Sequence, residues 1–449
     1  MLTERNYPMD KKNLLIAMTG LFLLGSAAAM ACTGKPQNSG TETGTENVTE
    51  TPAETFPATG FVTAQEKDLF DESGKPLLLR GVNIGSWFVR EFWMTPIKET
   101  ENVRCEKELE EILTERFGEE KASALFDAYL DSYFTEKDFD YIKELGFNCI
   151  RLPLWYGIFS DAEGNRKPDA YRRVDWFVEE AASRGLYVIL DMHGAYGSQN
   201  GSDHSGIDGR DNKKEASEFF FGENAEHNQE LYYSLWEEIT AHYKDNPAVA
   251  GYDLLNEPFC TYRYNSGLKE KDLHELLWPI YDEAYRRIRA VDPDHMILFE
   301  AVWDGGDLPS PEEYGWTNAM YEYHQYEYSN YWNENNAQIK SMNKKLRNIR
   351  QSRHNVPALM GEFNYFNNMD AWAEGLKILE ESGTSWTLWS YKCMTDNDNW
   401  GLMRLSCRRI NPETDSYETI LDTWSKLDEA EENTPLVDVI KAHMAEFAK

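Results

Sequence analysis

At 449 residues, 41% hydrophobic and 13% aromatic, the chain carries enough apolar material for a sizeable core and far too much for a disordered polymer. Its 78 acidic residues against 45 basic ones give a formal charge of -33, which repels phosphate backbones and polyanionic polysaccharides such as pectin, so no nucleic-acid partner is expected and a neutral one is. Sugar rings stack on aromatic faces, so 14 Trp and 25 Tyr suit a carbohydrate ligand, although core packing accounts for most such rings.

Residues 1–31 read as a leader. Lys11 and Lys12 precede an apolar run from Leu14 to Ala31 that ends in small residues (Ser26, Ala27, Ala28, Ala29), and Cys32 follows. Small residues before a cysteine resemble a bacterial lipoprotein cleavage site, with Ala29 where leucine is usual, so Cys32 is the expected lipidated N-terminus. A transmembrane anchor is the competing reading, for a run barely long enough to span a bilayer. Met9-Asp10-Lys11-Lys12 offers an alternative start. Residues 32–60, rich in Thr, Glu, Gly, Pro and Asn, cannot bury enough surface to order themselves and are expected to form a disordered tether. Together these place the protein outside the cytoplasm, as a lipoprotein held at the cell envelope or surface. The five further cysteines, Cys105, Cys149, Cys260, Cys393 and Cys407, lack C-x-x-C spacing, which argues against a disulfide framework or a zinc site. Cys393 and Cys407 could pair across a loop; inert thiols are the default.

Residues 61–449 form one catalytic-sized domain in which apolar runs alternate with helical periodicity. Strands are expected at 77–85, 149–154, 187–194, 249–258, 296–301, 320–326, 357–363 and 385–392. A helix is expected over 135–146, with Thr135 and Asp138 as its capping pattern, Phe139, Ile142 and Leu145 as its apolar stripe and Gly146 as its stop. Another runs over 170–185, burying Val174, Phe177, Val178 and Ala181 and closing at Gly185. Eight strands alternating with helices imply parallel pairing, hence an α/β chain with a single (β/α)8 TIM barrel.

In such a barrel chemistry belongs at the C-terminal strand ends. The polar and aromatic residues there are Asn83, Arg151, His193, Asn256, Glu257, Trp303, His324, Tyr326, Glu362 and Trp389. One buried polar residue is ordinarily a satisfied structural group; a ring of them at one end is hard to explain by packing. Two of them are glutamates that each follow an apolar run, Glu257 in LLNEP and Glu362 in PALMGEF, and a carboxylate beside a core is costly unless something pairs or uses it. Trp93 and Trp303 read as aromatics covering the barrel rim. Asp208-Gly209-Arg210-Asp211 misses the EF-hand spacing and reads as a solvated turn. No phosphate-binding loop, dinucleotide fingerprint or G-x-S-x-G occurs, so neither cofactor nor metal is implied.

From Phe61 onward this pattern resembles glycoside hydrolase family 5, the retaining β-glycosidases of the cellulase superfamily: Arg151 in IRLP, His193 in DMHG, Asn256 and Glu257 in LLNEP, His324 and Tyr326 in YHQY, Glu362 in MGEF and Trp389 in TLWSY fall on that family's site positions in its order. The resemblance implies that Glu362 is the nucleophile and Glu257 the acid/base, about 5–5.5 Å apart. It further implies that Arg151 and Tyr326 donate to Glu362 and favour its ionised form, and that Asn256 binds the sugar 2-hydroxyl. His324 then orients the acid, His193 binds sugar hydroxyls and Trp389 forms the stacking floor. Glu257 must begin protonated, which a neighbouring negative Glu362 would promote.

The segments LLLRGVNIGSW (77–87), WMTP (93–96), FTEKDF (134–139) and HGAYGSQNGSDHSG (193–206) look like the exo-β-1,3-glucanase branch, with Glu91 and Asp203 in the loops that hold the terminal glucose there. Two features depart from it: Phe363 and Asn364 follow Glu362 where that branch has tryptophan, and the strand with His324 reads YEYHQY. An endo-acting β-1,4-glucanase is the alternative, and mannan, xyloglucan and transglycosylation stay open. From another class, a glycan-binding surface lipoprotein without turnover is opposed by the paired, mutually repelling acids.

Overall fold

The computed structural model describes residues 60–207, 217–258, 270–301, 308–328, 337–395 and 400–447. The expected leader, tether and Cys32 lie outside these residues, as do Cys260, Trp303 and the 208–211 turn. Among the described residues no helix is long and apolar enough to cross a membrane, and Cys105, Cys149, Cys393 and Cys407 form no disulfide.

A small antiparallel sheet, β1 (Thr63–Gln65), β2 (Asp68–Phe70) and β3 (Pro76–Leu77), precedes the barrel. The barrel strands are β4 (Arg80–Asn83), β5 (Cys149–Trp155), β6 (Tyr187–Gly194), β7 (Val249–Asp253), β8 (Met296–Ala301), β9 (Ala319–Gln325), β10 (Ala358–Phe363) and β11 (Ser385–Leu388). All pair in parallel in chain order, and β11 closes on β4 with Trp386 opposite Arg80. All eight expected strands exist, and three were too long. The 77–85 run breaks between β3 and β4, LLNEP lies beyond the end of β7, and 385–392 stops at Leu388, after which β12 (Lys392–Met394) pairs with β13 (Met403–Leu405) in a separate sheet.

Helices cover the barrel's outer face. The expected helices are α1 (Glu136–Glu144) and α2 (Arg172–Ser183). The capping box forms as expected: the Thr135 backbone N–H donates to Asp138 Oδ2 at 2.7 Å. Asp138 also accepts from Tyr391 at 2.6 Å, so this cap ties the helix to the segment that follows β11. Phe139, Ile142 and Leu145, with Val174, Phe177, Val178 and Ala181, are all buried in one core with the outward strand residues Ile150, Leu152, Val188 and Leu190.

Inside the barrel, side chains alternate with period two and change character along its axis. The lower part is apolar: Leu79, Cys149, Ile189, Met296, Leu298, Met320 and Leu359 pack with Leu69 of the small sheet and with Val62 just before it. Further toward the strand C-termini the interior turns polar and charged, with Asn83 opposite Arg151, Asp191 opposite Asp253 and Glu300 opposite Glu322. All six are fully buried. The barrel is thus a plugged cylinder whose upper half is an ionic network, and the glutamate pair rests on that network.

Candidate active site

The two glutamates reach the mouth by different routes. Glu362 stands on β10, and the β9–β10 register shifts between Met360 and Glu362, setting Glu362 beside His324. Gly361 occupies the irregularity because Glu322 presses against it: a Cβ there would lie 1.6 Å from Glu322 Oε1. Glu322 cannot retreat, being fully buried and 3.0 Å from Arg151 Nε. Gly361→Ala is therefore expected to destabilise the fold by roughly 1–3 kcal/mol and to lower activity, read by thermal unfolding and turnover of the same preparation.

Glu257 follows β7 by four residues and takes a left-handed backbone, φ +42°. Its neighbours hold it there: Asn256 N–H donates to Met192 O at 3.0 Å, Gln199 Nε2 donates to Asn256 O at 2.7 Å, and the Glu257 N–H donates to Glu300 Oε2. About a third of the Glu257 side chain (35%) stays open, whereas Glu362 is nearly closed off. One carboxylate oxygen from each, and a ring nitrogen of His324, lie within 4.8 Å of one another.

Each carboxylate has its own donors. Glu362 receives Arg151 Nη1 on Oε1 at 3.1 Å and the Tyr326 hydroxyl on Oε2 at 2.9 Å, the two donors anticipated from sequence. Arg151 is a hub: it also reaches Asp253 at 2.8 Å, Asp191 at 3.2 Å, Asn83 at 3.0 Å and Asn256 at 2.9 Å. Burial works against its charge, but Asp191, Glu322, Asp253 and Glu362 outweigh that and push its pKa further up. Glu257 Oε1 meets His324 Nδ1 at 2.9 Å, and Oε2 lies 3.4 Å from His204 Nε2. His324 touches further acids, Glu322 at 3.3 Å, Glu362 at 3.5 Å and Glu300 at 3.6 Å.

These contacts correct one expectation. Burial raises the Glu257 carboxyl, but the hydrogen bond and charge of His324 outweigh it and hold Glu257 well below the usual carboxylate range. Burial likewise lowers His324, and Glu300, Glu362, Glu257 and Glu322 reverse this to drive it well above the usual imidazole value. Sequence reasoning expected Glu362's negative charge to raise Glu257; the His324 ring, 2.9 Å from Glu257 and 3.5 Å from Glu362, opposes that repulsion and shifts Glu257 the other way.

His193 is different. Burial pushes it down to about 3, so it is neutral, held by Asp191 Oδ2 at 2.7 Å, with Nε2 3.4 Å from Asn256 Nδ2. Trp389 stacks on it at 5.5 Å and 11°. Glu91 accepts from Trp93 Nε1 at 2.7 Å, and burial together with the charges of Asp203, Glu362 and Glu257 raises its carboxyl well above the usual range, so Glu91 and Asp203 share the field of the glutamate pair. Trp93 packs on Trp400 at 4.9 Å, and Trp400 on Tyr326 at 5.5 Å, so Trp93 does cover the rim.

Sequence reasoning missed the ionic layer beneath the pair, Asp191, Asp253, Glu300 and Glu322, and also His204. A signal existed: Asp191 and His193, like Glu322 and His324, are two apart on one strand and so share its inner face.

A closed parallel barrel with two donor-supported carboxylates at its C-terminal mouth defines the class to which glycosidic chemistry belongs. Residues 115–394 match the cellulase family, glycosyl hydrolase family 5, and the chain belongs to that family. It is 33% identical over 264 residues to a beta-xylosidase of Phanerodontia chrysosporium, covering 58% of this chain and 50% of that one. It is 30% identical over 266 residues to a glucan 1,3-beta-glucosidase of Candida oleophila, covering 56% and 58%. The match thus spans little more than half the length of these relatives. Among solved structures, a rutinosidase from Aspergillus niger superposes with TM-score 0.58 at 16% identity (77% of this chain, 96% of that one), and endo-glycoceramidase II from Rhodococcus sp. with 0.53 at 19% (80% of each), a likeness of fold.

Proposed function

We propose that the protein is a retaining β-glycosidase acting on β-glucan, with Glu362 as nucleophile and Glu257 as acid/base. The spacing of the pair carries the reading: oxygens within 4.8 Å suit direct attack at the anomeric carbon, whereas inverting enzymes separate their carboxyls by about 6.5–9.5 Å to admit a water. In the first step Glu362 attacks the anomeric carbon, the glycosidic C–O bond breaks and the leaving oxygen takes, through Glu257, the proton that the Glu257–His324 pair shares. In the second, water attacks that carbon, gives its proton to Glu257 and frees Glu362. Arg151 and Tyr326 stabilise charge on Glu362 before attack and after release. Asn256, fixed by Arg151, is positioned for the sugar 2-hydroxyl, and His193 and Trp389 line the same wall.

The proton that Glu257 delivers belongs to the Glu257–His324 pair, which titrates as a unit. The basic limb of kcat/KM marks loss of that proton, so His324, driven upward by its acids, sets it. His324→Gln is expected to move the basic limb to lower pH; a limb that stays in place contradicts this assignment.

Preference for glucan rests on the glucan 1,3-beta-glucosidase relatives and on Glu91 and Asp203 beside the pair. The 33% identity to a beta-xylosidase favours a second reading, a β-xyloside as substrate. Turnover of 4-nitrophenyl β-glucoside, 4-nitrophenyl β-xyloside, laminarin and carboxymethylcellulose separates these. Glucose from laminarin with the glucoside preferred supports an exo-acting β-1,3-glucanase; xyloside preference or cellulose oligomers overturn it. If wild type, Glu257→Gln and Glu362→Gln bind laminarin alike and none releases sugar, the protein is a glycan binder. The leader-like run and Cys32 support anchorage at the cell envelope, tested by radiolabelled palmitate incorporation into the full chain and its loss in Cys32→Ala.

A further inference from the structure

Glu300 is a fully buried carboxyl inside β8 that faces the site without reaching the cleft. Its Oε2 accepts the backbone N–H of Glu257, and its Oε1 lies 3.6 Å from His324 Nδ1 with no hydrogen-bond partner among the described residues. Glu257 needs such an anchor. It lies beyond the end of β7, and its left-handed backbone costs an L-residue roughly 1 kcal/mol or more unless its surroundings hold it. Asn256 is tied on both sides, by Met192 and Gln199, but those bonds end one residue early. The next tie, the one that sets where the Glu257 side chain departs, is Glu300.

The same side chain bears on the other half of the pair. His324 presents Nδ1 to Glu257 and Nε2 to Glu322, and Glu300 stands on the Nδ1 side, so the ring cannot turn over without bringing Nδ1 away from two acids. Glu300 therefore touches both the main chain of the acid/base and the ring that shares its proton. We propose that Glu300 is a positioning residue for proton delivery, holding the Glu257 carboxyl on the leaving oxygen while taking no part in the nucleophile's step; this rests on the glycosidase reading of the pair.

Leaving-group dependence distinguishes the role from a structural one. A 2,4-dinitrophenolate departs without a proton and a 4-methoxyphenolate does not, so misplacing the acid harms only the latter. Glu300→Leu removes the acceptor for the Glu257 N–H; Glu300→Ser does so with less bulk, should the leucine variant not fold; Glu300→Gln keeps a carbonyl oxygen in place. Across aryl β-glycosides of graded leaving groups, Glu300→Leu or Glu300→Ser is expected to lose on the order of 10²-fold in kcat/KM on the 4-methoxyphenyl substrate, the low end of what a general acid contributes, and less than about 3-fold on the 2,4-dinitrophenyl one. Glu300→Gln is expected to keep the parent's slope. Equal losses across the series, or a parent-like slope in Glu300→Leu and Glu300→Ser, overturn the proposal. A wild-type enzyme inert on every member overturns the glycosidase reading and this inference with it.

Discussion

Glu362→Gln is expected to abolish turnover almost completely while leaving the fold and sugar binding in place. The amide keeps the shape of the side chain and an oxygen for Arg151 or Tyr326, but it cannot form the ester on which the two-step route depends. A loss on the order of 10⁴-fold in kcat, roughly 5.5 kcal/mol of barrier, is expected on aryl glycosides of every leaving group, because nucleophilic attack precedes all of them. Removing the side chain altogether, as in Glu362→Gly, opens space on the face opposite the leaving group. Added azide should then attack from that face and give the α-glycosyl azide, whereas Glu257→Gly should give the β-glycosyl azide, the anion now replacing water in the second step. Unimpaired turnover by Glu362→Gln, or β-azide from both variants, contradicts the assignment.

Arg151→Met is expected to damage stability and catalysis together. Arg151 and the acids Asp191, Asp253 and Glu322 are wholly buried, and its guanidinium holds all three in addition to Glu362. Breaking a buried charge pair by deleting one partner costs about 3–5 kcal/mol, since the remaining charge is left uncompensated. At about 2.1 cal/mol/K of unfolding entropy per residue, a domain of this size should melt roughly 5 °C lower. The sign of the pH dependence follows from the direction of the shifts. Burial already raises Asp191 and Asp253, and removing the cation that opposes it raises them further. Carboxyls whose folded pKa exceeds the unfolded value bind more protons in the native state, so stability falls as pH rises from the unfolded value, about 3.9, through the folded one. The deficit of Arg151→Met relative to wild type should therefore be larger at pH 8 than at pH 5, and Arg151→Lys should recover only part of it, lacking the planar fork. Melting curves of the three proteins at both pH values check this; a pH-independent deficit contradicts the buried-charge explanation.

The barrel and its reactive pair were legible in the sequence for a shared reason. Buried parallel strands are continuous apolar runs, and a glutamate at the end of such a run stands out against them, as Glu257 and Glu362 do. Helix ends were readable where local chemistry sets them, as in the Thr135–Asp138 cap. Strand ends were not. Nothing in LLNEP says that pairing stops at Asp253 and that Glu257 turns left-handed, because that depends on Glu300 and Gln199 from elsewhere in the chain. The direction of the Glu257 shift was misread for the same reason. From sequence the charge acting on Glu257 is that of Glu362, and His324 enters only as a residue that orients the acid; in space the His324 ring lies close to both glutamates and His204 lies on Glu257's other oxygen. Long-range placement inverted the electrostatics while leaving the identity of the pair intact.

All of this depends on Glu362 becoming covalently attached to the sugar. Incubating the enzyme with a 2-deoxy-2-fluoro-β-glycoside bearing a 2,4-dinitrophenyl leaving group, as both glucoside and xyloside, slows the second step and should trap the intermediate. Intact mass should rise by one fluorosugar, and peptide mapping should place it on Glu362. A label on Glu257 or any other residue, or full turnover with the α-product formed first, would contradict it.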